Sequence, residues 1–113
     1  MENFKISNMC LEDTENIHKL EQLCFSSPWS QAALIDELEN PNALFLVCKI
    51  DEEVAGYIGS ICVLDECSIT NVAVFPEFRR RAVGKALVDT LCNKAREKGA
   101  TSIFLEVRKS NDG

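Results

Sequence analysis

NVAVFPEFRRRAVGKAL, residues 71–87, passes from a strand pattern to a helix pattern within a few residues. Its apolar start predicts a buried strand, and Pro76 ends that strand because proline cannot donate to a strand ladder. A four-residue recurrence of apolar side chains then predicts an amphipathic helix that begins near Ala82. Those side chains are Val83, Leu87, Leu91 and Ala95. The segment is therefore a junction between a strand and a helix.

The junction carries features that suit a phosphate group. Arg79, Arg80 and Arg81 precede the predicted helix, and Gly84 and Lys85 lie in its first turn. A helix start presents free backbone N–H groups and a partial positive charge, and a glycine keeps side-chain atoms out of the path of an anion. Three arginines alone are usually a solvated loop or a weak nucleic-acid patch, but the combination favours pyrophosphate binding. The sequence has neither GxxxxGK(S/T) nor GxGxxG, which excludes a Walker loop and a dinucleotide fingerprint.

Outward from this segment, hydrophobic periodicity predicts the element order β-α-α-β-β-β-α-β in one domain. The predicted strands are residues 4–7, 43–50, 54–64, 67–74 and 102–107. Asp13 is predicted to cap the first helix and Ser30 the second. The apolar stripe of the first helix is Ile17, Leu20, Leu23 and Cys24. The final strand–helix–strand unit should be a right-handed parallel unit.

Charge is unevenly distributed over the 113 residues, whose net charge is −6. Residues 1–66 carry 13 acidic and 3 basic side chains, whereas residues 67–113 carry 5 acidic and 9 basic ones. This asymmetry indicates an anionic partner for the second part and a cationic one for the first, although simple solvation explains the first-part acids equally well. Overall acidity opposes nucleic-acid binding. No apolar run approaches the ~20 residues of a membrane span and no secretory signal is present, so a cytoplasmic protein without membrane contact is expected.

The six cysteines bear on the expected location, because disulfides are rare in cytosolic proteins. They lie in apolar stretches such as LFLVCKI and YIGSICVL, where a reduced cysteine behaves as a small hydrophobic residue. Reduced, buried thiols are therefore expected rather than a disulfide framework, which an even cysteine count also permits. Without a CxxC pair, and with His18 as the single histidine, no metal site is expected.

The junction resembles a known cofactor motif. VFPEFRRRAVG, residues 74–84, is similar to V-x-P-x-x-(R/Q)-x-x-G-x-(G/A) of the GCN5-related N-acetyltransferases (GNAT), with Ala82 in place of the first glycine. Three further segments resemble bacterial ribosomal-protein-alanine N-acetyltransferases: FSSPWS at 25–30, NVAV at 71–74 and LEVRKSN at 105–111. The resemblance spans the chain and implies the GNAT acyl-CoA N-acyltransferase fold. This is an α/β (α+β) fold with a mixed, mostly antiparallel sheet, one parallel strand pair and flanking helices.

The resemblance also implies roles for individual residues. Backbone groups of Val72, Ala73 and Val74 would pair with the pantetheine arm of acetyl-CoA, and the amide near Val74 would stabilise the oxyanion. Asn111 matches a family asparagine that contacts coenzyme A. The pyrophosphate would be held by Arg79, Arg80, Arg81, Ala82, Val83, Gly84 and Lys85.

Glu106 has two interpretations. A glutamate on a strand usually faces solvent, and residue type alone favours that interpretation. The resemblance implies instead that Glu106 is the catalytic base, which takes a proton from the acceptor amine directly or through water.

The predicted function is transfer of acetyl from acetyl-CoA to a protein N-terminal α-amine, with the N-terminal alanine of a basic ribosomal protein as acceptor. A GNAT enzyme acting on another amine and a catalytically impaired coenzyme A-binding module are the alternatives. Family members continue beyond the position of Gly113 with a tyrosine general acid and two more strands. The resemblance therefore implies that residues 1–113 are a single, incomplete domain, and an open last strand predicts a homodimer.

Overall fold

The computed structural model describes residues 4–79 and 81–105. Within these residues the elements follow the predicted order. The strands are β1 (Phe4–Asn8), β2 (Ala43–Ile50), β3 (Glu53–Val63), β4 (Glu66–Val74) and β5 (Ser102–Leu105). The helices are α1 (Thr14–Cys24), α2 (Gln31–Leu38) and α3 (Val83–Glu97), with short 3-10 turns at Leu11–Asp13 and Pro76–Phe78.

The strands form one sheet in the order β1-β2-β3-β4-β5. The pairs β1–β2, β2–β3 and β3–β4 are antiparallel, whereas β5 runs parallel to β4. This confirms the predicted mixed sheet with one parallel pair.

Each face of the sheet carries its own hydrophobic cluster. On one face α3 buries Leu87 and Leu91 in a cluster with Leu46 of β2. On the other face α1 and α2 cover a cluster that contains Val47 of the same strand and Leu34. The alternation of β2 between the two clusters reflects the two-residue repeat of a strand that is buried on both sides.

The stripe predicted for α1 is right at three positions and wrong at one. Ile17, Leu20 and Cys24 are buried, whereas Leu23 is 52% exposed. The place predicted for Leu23 in the stripe is taken by Glu21, which is fully enclosed. The stripe therefore follows the spacing i, i+3, i+4, i+7 of an amphipathic helix, with a carboxylate inside it.

Of the two predicted helix caps, Ser30 is confirmed and Asp13 is wrong. The Ser30 Oγ accepts a hydrogen bond from the Ala33 N–H at 3.1 Å. Asp13 already has helical backbone angles because a 3-10 turn precedes α1, so its carboxylate cannot reach forward into the helix. It accepts instead from the Cys10 N–H at 2.9 Å and pairs with Lys49 at 2.9 Å.

The prediction for the cysteines is also wrong in part. Cys62 and Cys67 are direct partners across the β3–β4 hairpin and form a disulfide. Their pairing follows from the register of two strands, which the apolar stretch around each cysteine does not encode. Cys10 is exposed, whereas Cys24 and Cys48 are buried thiols as predicted. Burial raises the pKa of Cys48 to about 11.

Among the described helices, none combines the length and the apolar character required to cross a membrane.

Candidate functional site

A bulge interrupts β4 at Thr70. Asn71 lies opposite Gly59 while Ile69 lies opposite Ser60, so Thr70 is an extra residue in β4. One extra residue moves every later side chain to the other face of the sheet. Ile69 accordingly packs in the α3 cluster, whereas Asn71 reaches a side chain of α1.

The bulge also marks the end of the described pairing between the two parallel strands. β5 lies beside residues 66–69 of β4, and its last residue, Leu105, is opposite Ile69. Residues 71–74 of β4 thus remain paired with β3 on one edge, and the described part of β5 does not reach their other edge.

The backbone groups of residues 72–74 point to alternate edges. The Phe75 N–H donates to the Ala55 carbonyl at 2.8 Å. This hydrogen bond shows which residues of β4 direct their N–H and C=O groups towards β3 in the antiparallel ladder. By the alternation of such a ladder, Ala73 exchanges hydrogen bonds with β3, while Val72 and Val74 direct their N–H and C=O groups to the opposite edge. The Val74 carbonyl there accepts from Arg79 Nε at 3.2 Å.

The start of α3 lies beside the end of β4. The first hydrogen bond of the helix runs from the Ala86 N–H to the Ala82 carbonyl at 3.0 Å, so the N–H groups of the preceding turn have no acceptor within the helix. Ala82 supplies no side-chain cap. A Cβ built on Gly84 would meet only a Val74 side-chain carbon, at 3.9 Å. The helix start is therefore open to a ligand next to the outward edge of β4.

Basic residues flank this opening in the chain. The guanidinium of Arg79 bonds Cys24 Sγ at 3.7 Å in addition to the Val74 carbonyl, and the guanidinium of Arg81 lies 5.5 Å from the centre of the Phe78 ring. Lys85 forms an exposed ion pair with Asp89 at 2.7 Å, and that hydrogen bond raises the pKa of the lysine. The predicted residues 79 and 81–85 thus lie along one short turn and helix start beside Val74.

Ala82 has a left-handed backbone conformation, with φ 60° and ψ 24°. A side chain with a Cβ pays roughly 1–2 kcal/mol for this conformation, whereas glycine adopts it freely. The left-handed conformation thus explains why the cofactor motif has a glycine at this position. In this chain, alanine adopts the same conformation.

Comparison with known proteins agrees with this geometry. The model of the Acetyltransferase (GNAT) family matches residues 14–113. The chain belongs to the GNAT family. Enzymes of this family are acetyltransferases that use acetyl-CoA, and this GNAT chain is accordingly an acyltransferase.

Three relatives illustrate the similarity. A Bacillus subtilis protein provisionally named ribosomal protein bS18-alanine N-acetyltransferase is 40% identical over 107 residues, which are 94% of this chain and 71% of that protein. The crystal structure of the Escherichia coli ribosomal-protein-S18-alanine N-acetyltransferase superposes with a TM-score of 0.83 at 28% identity, over 96% of this chain and 69% of that one. Ard1 from Thermoplasma volcanium gives a TM-score of 0.84 at 31% identity, over 96% and 74%.

Replacing Ala82 with glycine is expected to stabilise the GNAT chain by up to about 1 kcal/mol. The left-handed strain of roughly 1–2 kcal/mol disappears, and the larger backbone entropy of glycine in the unfolded chain offsets about half of that gain. Urea unfolding measures the difference. Ala86→Gly in the same helix is the matched control and should destabilise by about 1 kcal/mol, because Ala86 lies inside the helix. Equal losses in both variants would contradict the strain argument.

Three predicted site residues lie outside the described residues: Arg80, Glu106 and Asn111. Their roles stay predictions. Within the described ranges, no group of three or more histidine, cysteine, aspartate or glutamate side chains is arranged to hold a metal ion.

A buried polar network behind β4 was missed by the sequence interpretation. Glu21, Tyr57 and Asn71 are each fully buried. The Glu21 carboxylate accepts from the Tyr57 hydroxyl, from Asn71 Nδ2 at 3.3 Å and from the Trp29 N–H at 2.8 Å. The only signal in the sequence is that Glu21 occupies a core position in the apolar spacing of α1.

Proposed function

We propose that this chain transfers the acetyl group of acetyl-CoA to the N-terminal α-amine of a protein, and that the acceptor is the N-terminal alanine of a ribosomal protein. The observation that carries the proposal is the open start of α3 beside the outward edge of β4. The names of the Bacillus subtilis and Escherichia coli relatives support the acceptor. The excess of acidic residues in the first part of the chain suits a basic protein tail.

The start of α3 would hold the pyrophosphate of acetyl-CoA. The backbone N–H groups of Val83, Gly84 and Lys85 have no acceptor within the helix, and a helix start attracts an anion. Because Gly84 has no side chain, the diphosphate can approach these groups closely. Arg79 and Arg81 add positive charge beside them.

The outward edge of β4 would hold the pantetheine arm as an additional strand. Val72 and Val74 supply the backbone groups for this pairing, because those of Ala73 face β3. The role predicted for Ala73 therefore becomes one of holding the strand in the sheet.

The geometry favours Val72 over Val74 as the oxyanion donor. Val74 lies next to Gly84, at the phosphate end of the strand. The pantetheine arm separates the phosphates from the sulfur, so the thioester lies farther along β4, towards the bulge. The next N–H group on the outward edge in that direction belongs to Val72. There it would stabilise the negative charge that develops on the carbonyl oxygen.

The reaction is a direct transfer without a covalent enzyme intermediate. The neutral amine attacks the thioester carbonyl, the C–S bond breaks, and coenzyme A leaves as the thiol after it gains a proton. Glu106 would accept the proton that the amine loses, and Asn111 would contact coenzyme A, both as the family resemblance implies.

Calorimetric titration with acetyl-CoA, followed by incubation with a basic peptide that begins with alanine, tests the proposal. We expect one binding site per chain and a peptide mass increase that corresponds to one acetyl group at the α-amine. Binding without turnover would indicate a coenzyme A-binding module. Acetylation of lysine side chains or small amines alone would assign a different acceptor, and the lack of any binding would refute the proposal.

A further inference from the structure

The buried network behind β4 links three elements through one carboxylate. Glu21 lies in the last turns of α1, Tyr57 in the middle of β3 and Asn71 immediately after the bulge of β4. Tyr57 and Asn71 also contact each other directly, because Asn71 Nδ2 donates to the Tyr57 hydroxyl at 2.9 Å. Burial of three polar side chains is costly unless they satisfy one another, so this network fixes a single arrangement of the three elements.

The Asn71 amide is held at both of its ends. Its nitrogen donates to Glu21 and Tyr57, and its oxygen accepts from the hydroxyl of Thr70, the extra residue of the bulge. The Thr70 hydroxyl also contacts the Gly59 carbonyl across the sheet at 3.4 Å. Rotation of the Asn71 side chain would break its contacts with Glu21, Tyr57 and Thr70 together, so the network holds Asn71 in one conformation beside the bulge.

That conformation sets the direction of the Val72 N–H. The peptide unit between Asn71 and Val72 carries the Asn71 carbonyl towards Gly59 and the Val72 N–H towards the outward edge. Without the bulge, the strand would keep its earlier phase, and a different N–H would face that edge. The side chain of Asn71 and the donor of the proposed oxyanion site thus belong to adjacent residues of one constrained segment.

A second contact supports the same arrangement. Cys24, one turn beyond Glu21 on α1, places its Sγ 4.0 Å from the Val74 carbonyl. The pairs Glu21 with Asn71 and Cys24 with Val74 align the end of α1 with the segment of β4 after the bulge. The end of α1 thus contacts both ends of residues 71–74, the segment of β4 that is assigned above to the cofactor.

We infer that Glu21 is a positioning residue for catalysis: through Asn71 and Tyr57 it orients the Val72 N–H towards the thioester carbonyl. The inference rests on the proposed function and adds a buried part to its site. Glu21 itself is fully buried between α1 and the sheet, so it does not touch the substrate. Its effect appears in the polarisation of the thioester and in turnover, with little effect on the affinity for acetyl-CoA.

The test uses Glu21→Gln and Tyr57→Phe, two substitutions that preserve side-chain size. Glutamine replaces one acceptor oxygen with a donor, and phenylalanine removes only the hydroxyl. Glu15→Gln is the matched control, because Glu15 is exposed on the same helix. Infrared difference spectroscopy with acetyl-CoA labelled with 13C at the carbonyl reports the polarisation of the bound thioester. Calorimetry gives its affinity, and steady-state kinetics with the alanine peptide gives kcat and KM.

In the wild-type protein and in Glu15→Gln, binding should shift the carbonyl stretch to lower frequency. In Glu21→Gln the stretch should return towards that of free acetyl-CoA, with kcat about 10- to 100-fold lower, since full loss of an oxyanion donor costs about 10²–10³. Tyr57→Phe should change both quantities in the same direction but less. The dissociation constant should stay within about threefold in both, because one hydrogen bond to a neutral carbonyl adds little net affinity and becomes strong only as negative charge develops on the oxygen.

Wild-type polarisation and turnover in both folded variants would overturn the inference while leaving the proposed function intact. If Glu21→Gln does not fold, Tyr57→Phe alone decides in the same way. If the wild-type protein does not bind acetyl-CoA at all, both the proposed function and this inference fail.

Discussion

Replacing Gly84 with aspartate is expected to weaken acetyl-CoA binding strongly while leaving the protein folded. The position has room for a side chain, because the atom nearest to a Cβ added there is a Val74 methyl carbon at 3.9 Å. A carboxylate in the first turn of α3 even stabilises the helix, by about 0.3–1 kcal/mol. The same carboxylate, however, occupies the place proposed for the diphosphate and repels it.

The loss should exceed about 100-fold in the dissociation constant. Two like charges about 4 Å apart repel by about 4 kcal/mol at the effective dielectric constant of a protein surface, and salt screening lowers that figure, so a loss of about two orders of magnitude is the conservative expectation. Calorimetry measures the affinity and a thermal melt measures stability. Gly84→Asn is the matched control, since it has the same size without the charge, and it should bind more tightly than Gly84→Asp. Equal affinity of the two variants would place the diphosphate elsewhere.

The architecture of the site was predictable where the signal is local in sequence. Pro76 ends β4, and the four-residue recurrence from Val83 onwards defines α3, so both sides of the junction follow from neighbouring residues. The left-handed conformation of Ala82 is consistent with the glycine that the GNAT cofactor motif has at this position. An alanine alone does not predict that conformation.

The features that were missed depend on partners distant in sequence. The bulge at Thr70 exists only relative to β3, and it decides which of Val72, Ala73 and Val74 direct their backbone groups to the outward edge of β4. The Cys62–Cys67 disulfide likewise depends on the register of a hairpin.

Glu21 illustrates the same limit in the core. A glutamate in a helix is usually solvent-exposed, and its burial here requires donors from the Trp29 backbone, β3 and β4. Each donor comes from a segment that only the folded chain brings near. The apolar spacing of α1 could have indicated that position 21 is a core position, but it could not have indicated which groups satisfy the carboxylate.

Replacing Glu106 with glutamine is expected to lower kcat by about 10²–10⁴, the usual contribution of a positioned base, without changing the affinity for acetyl-CoA. A protein α-amine has an unperturbed pKa near ~8, so at neutral pH most of the acceptor is protonated and has to lose a proton before or during attack. Glutamine has the same size and cannot accept that proton.

The pH dependence separates this role from simple charge removal. As the pH rises above ~8, a growing fraction of the acceptor amine is already neutral, so the deficit of Glu106→Gln should shrink. Glu97→Gln, which removes an exposed carboxylate from α3, is the control and should match the wild-type protein at every pH. A deficit in Glu106→Gln that is equally large at all pH values would show that Glu106 holds the acceptor or the fold rather than taking the proton. Wild-type turnover in that variant would mean that another group, or water alone, receives the proton.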